Sequence, residues 1–160
     1  MKVLIVIESW FWNTRIIGDE VAAGLADGGA DVQVMSVDDA PQSVPAEVDR
    51  LVLGAPTHNR GLSTAATRAQ ATKGGGSGGD IGIREWLKSA QLPENVAVAA
   101  FDTVTSKTWM SGSAAKGVVK TLSRRGIAVD AQSFVVTGTQ GPLKPGQVEE
   151  AHEWGRLLAK

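Results

Sequence analysis

Three short stretches of this sequence carry residue types that bind rather than pack. Ser9-Trp10-Phe11-Trp12-Asn13-Thr14 follows an apolar run and opens a helix-like stretch. Successive backbone N–H groups at such a junction, with the positive end of the helix dipole, suit an anion. Ser9, Asn13 and Thr14 add short side-chain donors, and Arg15 stands one residue on. That is the chemistry of a phosphate held with few or no cationic side chains. The same residues also serve as an ordinary N-cap, at Asn13 or Thr14. A second stretch, Gly54-Ala55-Pro56-Thr57-His58-Asn59-Arg60-Gly61, offers a flat ring and an amide just past a strand-like run. A third, Phe101-Asp102-Thr103 through Trp109 to Gly112-Ser113, offers backbone amides, a carboxylate and a second flat ring. A planar heterocycle held between the second and third stretches, with an anionic tail on the first, would use all of them.

The aromatic residues point the same way. The chain has five tryptophans and three phenylalanines, and Trp10, Phe11, Trp12 and Trp109 fall in these stretches. Rings at strand ends are expected to be exposed, whereas Trp86, Trp154 and Phe134 sit inside elements and read as core. Each ring that becomes buried contributes about 1.5–3 kcal/mol by area. Loop packing, a lid over the helix, or a partner surface would also account for Trp10, Trp12 and Trp109.

Positioning three such loops requires a scaffold whose strand ends lie side by side. Strand-like runs occur at about Val3–Ile7, Asp31–Val37, Arg50–Ala55, Asn95–Phe101 and Ala128–Thr137, with an irregularity expected near Gln132-Ser133. Between and after them lie helical stretches at about Thr14–Asp27, Ser63–Lys73, Ile81–Ala90, Ser111–Arg124 and Pro145–Ala159, the last with Pro145 in its first turn. In the first helix Ile16, Ile17, Val21, Ala22 and Leu25 recur at helical spacing, and Gly28-Gly29 ends it. Strands this apolar, alternating with helices, predict a parallel sheet covered on both faces. In such a sheet ligands bind beyond the carboxyl ends of the strands, where the three loops would lie.

Composition narrows the chemistry. One hundred and sixty residues fit a single domain spanning 1–160. Apolar residues make up 42% and the formal charge is −1, which removes disorder and any electrostatic reason to expect nucleic acid or an acidic membrane as a partner. The absence of cysteine excludes disulfides, thiolate catalysis and thiolate metal sites, and His58 and His152 leave little for an imidazole site. The first apolar run is too short for a signal segment or a membrane span, so the cytoplasm is the expected location.

Other constellations carry less. Gly74–Gly79 matches a dinucleotide fingerprint only formally, because it follows a helix; it reads as a flexible surface loop resembling a linker. Asp38-Asp39 and Glu149-Glu150 read as solvated acids. Ser63, His58 and Asp102 have no nucleophile-elbow motif around them. Lys107, Lys116, Lys120, Arg124 and Arg125 read as a solvated helix face or a docking patch.

On these residues the chain resembles the flavodoxin family, particularly its actinobacterial-type members. Glu8-Ser9-Trp10-Phe11-Trp12-Asn13-Thr14-Arg15 is similar to the family's phosphate loop, where serine or threonine, glycine and a closing threonine recur. The stretch Gly54–Gly61 is similar to its second flavin loop. Ala100-Phe101-Asp102-Thr103, with Gly112-Ser113-Ala114-Ala115, is similar to its third. The likeness runs from Lys2 to the final helix. It implies an α/β three-layer sandwich with five parallel strands in the order 2-1-3-4-5, and flavin mononucleotide (FMN) as cofactor. By the same resemblance Ser9, Trp10, Phe11, Trp12, Asn13 and Thr14 would hold the FMN phosphate. Pro56, Thr57, His58, Asn59 and Gly61 would line one side of the isoalloxazine. Asp102, Thr103 and Trp109 would approach its pyrimidine end or other face.

Three departures from the family pattern have physical consequences. Trp12 stands where glycine is usual, and a positive φ there would cost about 1–2 kcal/mol. His58 replaces a larger aromatic; a protonated His58 would stabilise a reduced, anionic flavin and make its potential depend on pH. The near-neutral charge weakens steered docking onto a basic partner. The resemblance implies an electron carrier working between an external reductase and an electron-accepting protein, as a monomer or weak homodimer. The alternatives are an FMN-dependent oxidoreductase acting on a small oxidant such as a quinone, and a binding domain that has lost FMN.

Overall fold

The computed structural model describes all residues, Met1–Lys160. Five strands are β1 (Lys2–Ile7), β2 (Asp31–Ser36), β3 (Arg50–Pro56), β4 (Ala97–Val104) and β5 (Val129–Val135). They form one parallel sheet in the order β2-β1-β3-β4-β5. Five helices are α1 (Asn13–Asp27), α2 (Ala65–Lys73), α3 (Ile83–Ser89), α4 (Ala114–Ser123) and α5 (Gln147–Leu158).

Side-chain alternation divides the strands between two cores. Val3, Ile5, Ile7, Val52, Phe101 and Phe134 face α1 and α5, whereas Leu4, Val6, Leu51, Leu53 and Ala100 face α3 and α4. Phe101, Phe134 and Trp154 meet edge to face at centroid distances of 6.1–6.3 Å. Each such pair adds about 0.5–1.5 kcal/mol beyond area burial. The α1–α5 contact is close because Gly24 lies against the His152 backbone and Gly155 against the Val21 backbone, where a Cβ would collide.

Several local expectations are corrected. Gln132 and Ser133 pair regularly with Phe101 and Asp102, so β5 has no irregularity there. Pro145 precedes α5, whose N-cap is Gly146 in the left-handed region. The N-cap of α1 is Trp12, with Asn13 and Thr14 already inside the helix. Trp12 has no capping oxygen; Ser9 Oγ instead accepts from the Arg15 N–H at 3.3 Å.

The glycine tract is not a free linker. Ser77 N–H donates to the Trp10 carbonyl at 2.9 Å, and Gly76 N–H to Ala71. A Cβ on Gly78 would stand 2.6 Å from the Trp10 ring, and one on Gly76 3.0 Å from Phe11. Absence of side chains lets this backbone lie flat on two loop aromatics.

Candidate functional site

The carboxyl ends of β1, β3 and β4 open onto a cleft of about 220 Å³. Trp10, Phe11, Asn13 and Thr14 line it from the first loop, Pro56, Thr57, His58, Asn59 and Arg60 from the second, and Thr103, Thr105 and Ser111 from the third. An adjoining hollow of about 290 Å³ shares Phe11, Thr57, His58 and Asn59 with it and extends toward α2. Joined, they reach the size range of small-molecule sites.

The first loop supplies donors. No protein acceptor meets the N–H groups of Trp10, Phe11, Trp12, Asn13 or Thr14, which gather at the N-terminus of α1. The loop turns there because Trp12 takes φ 69°, the left-handed conformation that glycine adopts without strain. Trp12 is 70% exposed and stands outside the cleft, so its ring does not fill it. Ser9 and Trp12 instead border a separate hollow on the β2 side of the loop.

Trp10 reverses the expectation of exposure: it is buried, and its indole N–H donates to Glu8 Oε1 at 3.2 Å. Glu8 is itself buried, accepting also from the Ser63 hydroxyl and from the Ile83 N–H at 2.9 Å. Arg68 donates to Ser63 and to both oxygens of Glu85, at 3.0–3.2 Å. Burial pushes the Glu85 carboxyl up, but the Arg68 guanidinium and the Gly82 N–H outweigh it and hold it below the usual range. This network fixes the entrance to α3 beneath the first loop.

The second loop is a tight turn. His58 and Gly61 exchange two backbone hydrogen bonds at 2.8 and 3.0 Å, and Asn59 and Arg60 between them both have positive φ. Gly61 thus closes the turn and does not line the cleft. His58 Nδ1 lies 3.1 Å from Thr67 Oγ1, within the capping box of α2. Burial pushes the His58 pKa down; Glu8 raises it and Arg68 lowers it further. The net effect lies below the ordinary histidine range, which disfavours the charged ring.

The third loop brings a second correction. Asp102 is fully buried behind the cleft, not in it. Its Oδ2 accepts from the Thr57 hydroxyl at 3.2 Å, the Ser113 hydroxyl at 2.5 Å and the Ala115 N–H at 2.9 Å. The carboxylate ties β4 to the second loop and to the N-terminus of α4, where its charge meets the helix dipole. Trp109 is 79% exposed and lies outside the lining, so it does not form the far wall. Val136 and Thr139, from the segment after β5, line the cleft instead. Gly141 there approaches the Asn13 amide so closely that a Cβ would stand 2.5–2.8 Å from it.

No group of carboxylates and imidazoles is arranged to hold a metal ion, and no helix is long and apolar enough to cross a membrane. The arrangement can bind an anion on the first loop, a polyol on the threonine floor and a flat ring toward the second loop.

Neither the family models nor the curated proteins give a match to this chain. Solved structures do. The flavodoxin of Streptococcus pneumonia TIGR4 aligns with TM-score 0.72 and 16% identity, over 99% of this chain and 98% of that one. Flavodoxin 1 from Bacillus cereus aligns with TM-score 0.70 and 19% identity, over 97% and 95%. Rubredoxin oxygen:oxidoreductase from Desulfovibrio gigas aligns with TM-score 0.64 and 19% identity, over 99% of this chain but 35% of that larger one. The chain has the flavodoxin-like fold.

Proposed function

We propose that the chain binds FMN non-covalently in this cleft and carries electrons between protein partners. The observation that carries the reading is the row of unpaired N–H groups from Trp10 to Thr14, at a helix N-terminus that opens on the cleft. A phosphate needs several converging donors, and this loop has them without a lysine or arginine. The likeness to flavodoxin structures supports the same cofactor.

The residues present fit the group in its parts. The loop amides and Asn13 would hold the phosphate. Thr14, Thr57 and Thr103 form a hydroxyl floor suited to the ribityl chain, whose own hydroxyls both donate and accept. Pro56, His58 and Asn59 would bear on the ring system. When bound, FMN would supply the electron transfer; the chain orients it, excludes water and tunes it.

An external reductase and an electron-accepting protein are the partners this role needs, with the cytoplasm as its compartment. Trp109 and Met110, exposed near the cleft mouth, offer them an apolar contact.

The test is a visible-range titration of the protein with FMN and, separately, riboflavin. Saturable binding of FMN, at least tenfold tighter than riboflavin, is expected. Absence of FMN binding removes the electron-carrier reading.

A further inference from the structure

Arg60 occupies the second central position of the two-residue turn closed by His58 and Gly61. Its φ is 72° and that of Asn59 is 48°, the two positive values of a type I′ turn. Asparagine is at home in the first position, but glycine is the usual occupant of the second. An arginine held there strains the backbone. The turn is braced from the other side: Ser113 N–H donates to the Arg60 carbonyl at 3.3 Å, and Gly112 packs on the Arg60 backbone where a Cβ would collide. Strain of this kind persists when surrounding structure over-determines it, and it collects at ligand sites.

The side chain gives the strain a purpose. Arg60 is the one charged residue among those lining the cleft. Its guanidinium takes part in no ion pair. Asp102 is walled off behind Thr57 and Ser113. Arg60 thus brings the one formally charged side chain to the cleft's lining, exposed at its edge on a fixed backbone, at the loop expected to bear on the ring rather than on the phosphate.

We infer that Arg60 sets the reduction potential of the bound flavin by stabilising the negative charge that the ring system acquires on reduction. The inference rests on the FMN reading above. Reduction of bound FMN by two electrons from a low-potential reductant, with one proton from water, would leave one negative charge on the ring. A guanidinium at the cleft mouth attracts that charge more than it attracts the neutral oxidised ring. Reduced FMN is therefore bound more tightly than it would be beside a neutral side chain, and the potential rises.

The experiment compares wild type, Arg60→Gln, Arg60→Lys and Arg60→Gly. Each is first titrated with oxidised FMN, then reduced with dithionite against a reference dye. The expected result is that Arg60→Gln and Arg60→Gly lose more affinity for reduced FMN than for oxidised FMN. Loss of the charge in Gln and Gly weakens reduced FMN relative to oxidised by about tenfold, equivalent to about 30 mV for two electrons. Lys retains the wild-type potential. The apo Gly variant melts higher than wild type, because the turn is relieved, whereas apo Gln does not. An Arg60→Gln midpoint equal to wild type overturns the inference and leaves FMN binding intact. So does a loss of oxidised-FMN affinity with an unchanged potential, which would assign Arg60 to the phosphate. A wild-type protein that forms no FMN complex overturns the FMN reading first, and this inference with it.

Discussion

The Oγ1 atoms of Thr14 and Thr103 meet at 2.9 Å in the cleft floor, one from the first turn of α1 and one from the end of β4. Both residues are buried. One hydroxyl gives its proton to the other, so the pair keeps a single proton for a ligand. Thr57 has none to give: its hydroxyl donates to Asp102 and accepts from the Ala114 N–H. Donors therefore concentrate on the first loop and acceptors on the floor beneath it.

Thr14→Val removes the shared hydrogen bond and strands Thr103. FMN affinity should fall about tenfold and stability by about 1–2 kcal/mol. Thr103→Val should behave alike, and the double variant should lose less than the two together, because the pair is one unit. FMN titration and urea unfolding check both. Fully additive losses would separate the two hydroxyls.

Trp12→Gly should stabilise the chain by about 0.5–1 kcal/mol, since relief of left-handed strain exceeds the extra chain entropy of glycine. A chain of this size should then melt about 2 °C higher. Trp12→Ala keeps the strain and should show no gain. An equal gain in both would place the effect in the exposed ring instead.

Gly78→Ala puts a methyl group against the Trp10 indole. The tract must lift or the ring must move, at a cost of about 1–3 kcal/mol. Because Ser77 is bonded to the Trp10 carbonyl, the first loop should be disturbed as well, and FMN affinity with it. Tryptophan emission should shift to longer wavelength as Trp10 gains water. Gly75→Ala is a poorer control, because Gly75 has φ 90°; Gly138→Ala, with open space around it, is the neutral comparison.

The two histidines should give stability opposite pH slopes. Hydrogen bonds to Asp27 and then Glu20 raise the His152 pKa. Its contribution is complete below the free-histidine value of 6.5 and is lost as pH rises through the folded value above it. Burial lowers that of His58, so the folded chain is favoured above 6.5 and loses stability as pH falls below it. Urea midpoints measured between about pH 5 and 9 should lose the alkaline slope in His152→Gln and the acid slope in His58→Gln. A variant that keeps its slope disproves that assignment.

The scaffold was readable because it depends on local signals. Runs such as Val3–Ile7 and Arg50–Ala55 are apolar at strand length, and Ile17, Val21 and Leu25 mark the buried face of α1. The strand order was readable only through the family resemblance. What sequence spacing did not reveal depends on distant partners. Glu8 is buried because Ser63 and Ile83 meet it, and nothing near position 8 announces either. Asp102 is structural because Ser113 and Ala115 reach it across a loop. Trp10 is covered by Gly78, a residue noticed only for its composition. The segment after β5, whose Val136 and Thr139 line the cleft, carries no motif, and its only signal is its place at the carboxyl end of a strand. Arg60 is visible inside the second loop, but its place in a left-handed turn is not.

The pairing of α1 with α5 joins an early part of the chain to its last helix. During synthesis, Ile17, Val21 and Leu25 emerge long before Trp154 and Leu158, which share their core. Until α5 has left the ribosome, one face of the sheet has only half of its cover, and Phe101 and Phe134 lack their third aromatic partner. That face closes when Gly155 seats against Val21 and Gly24.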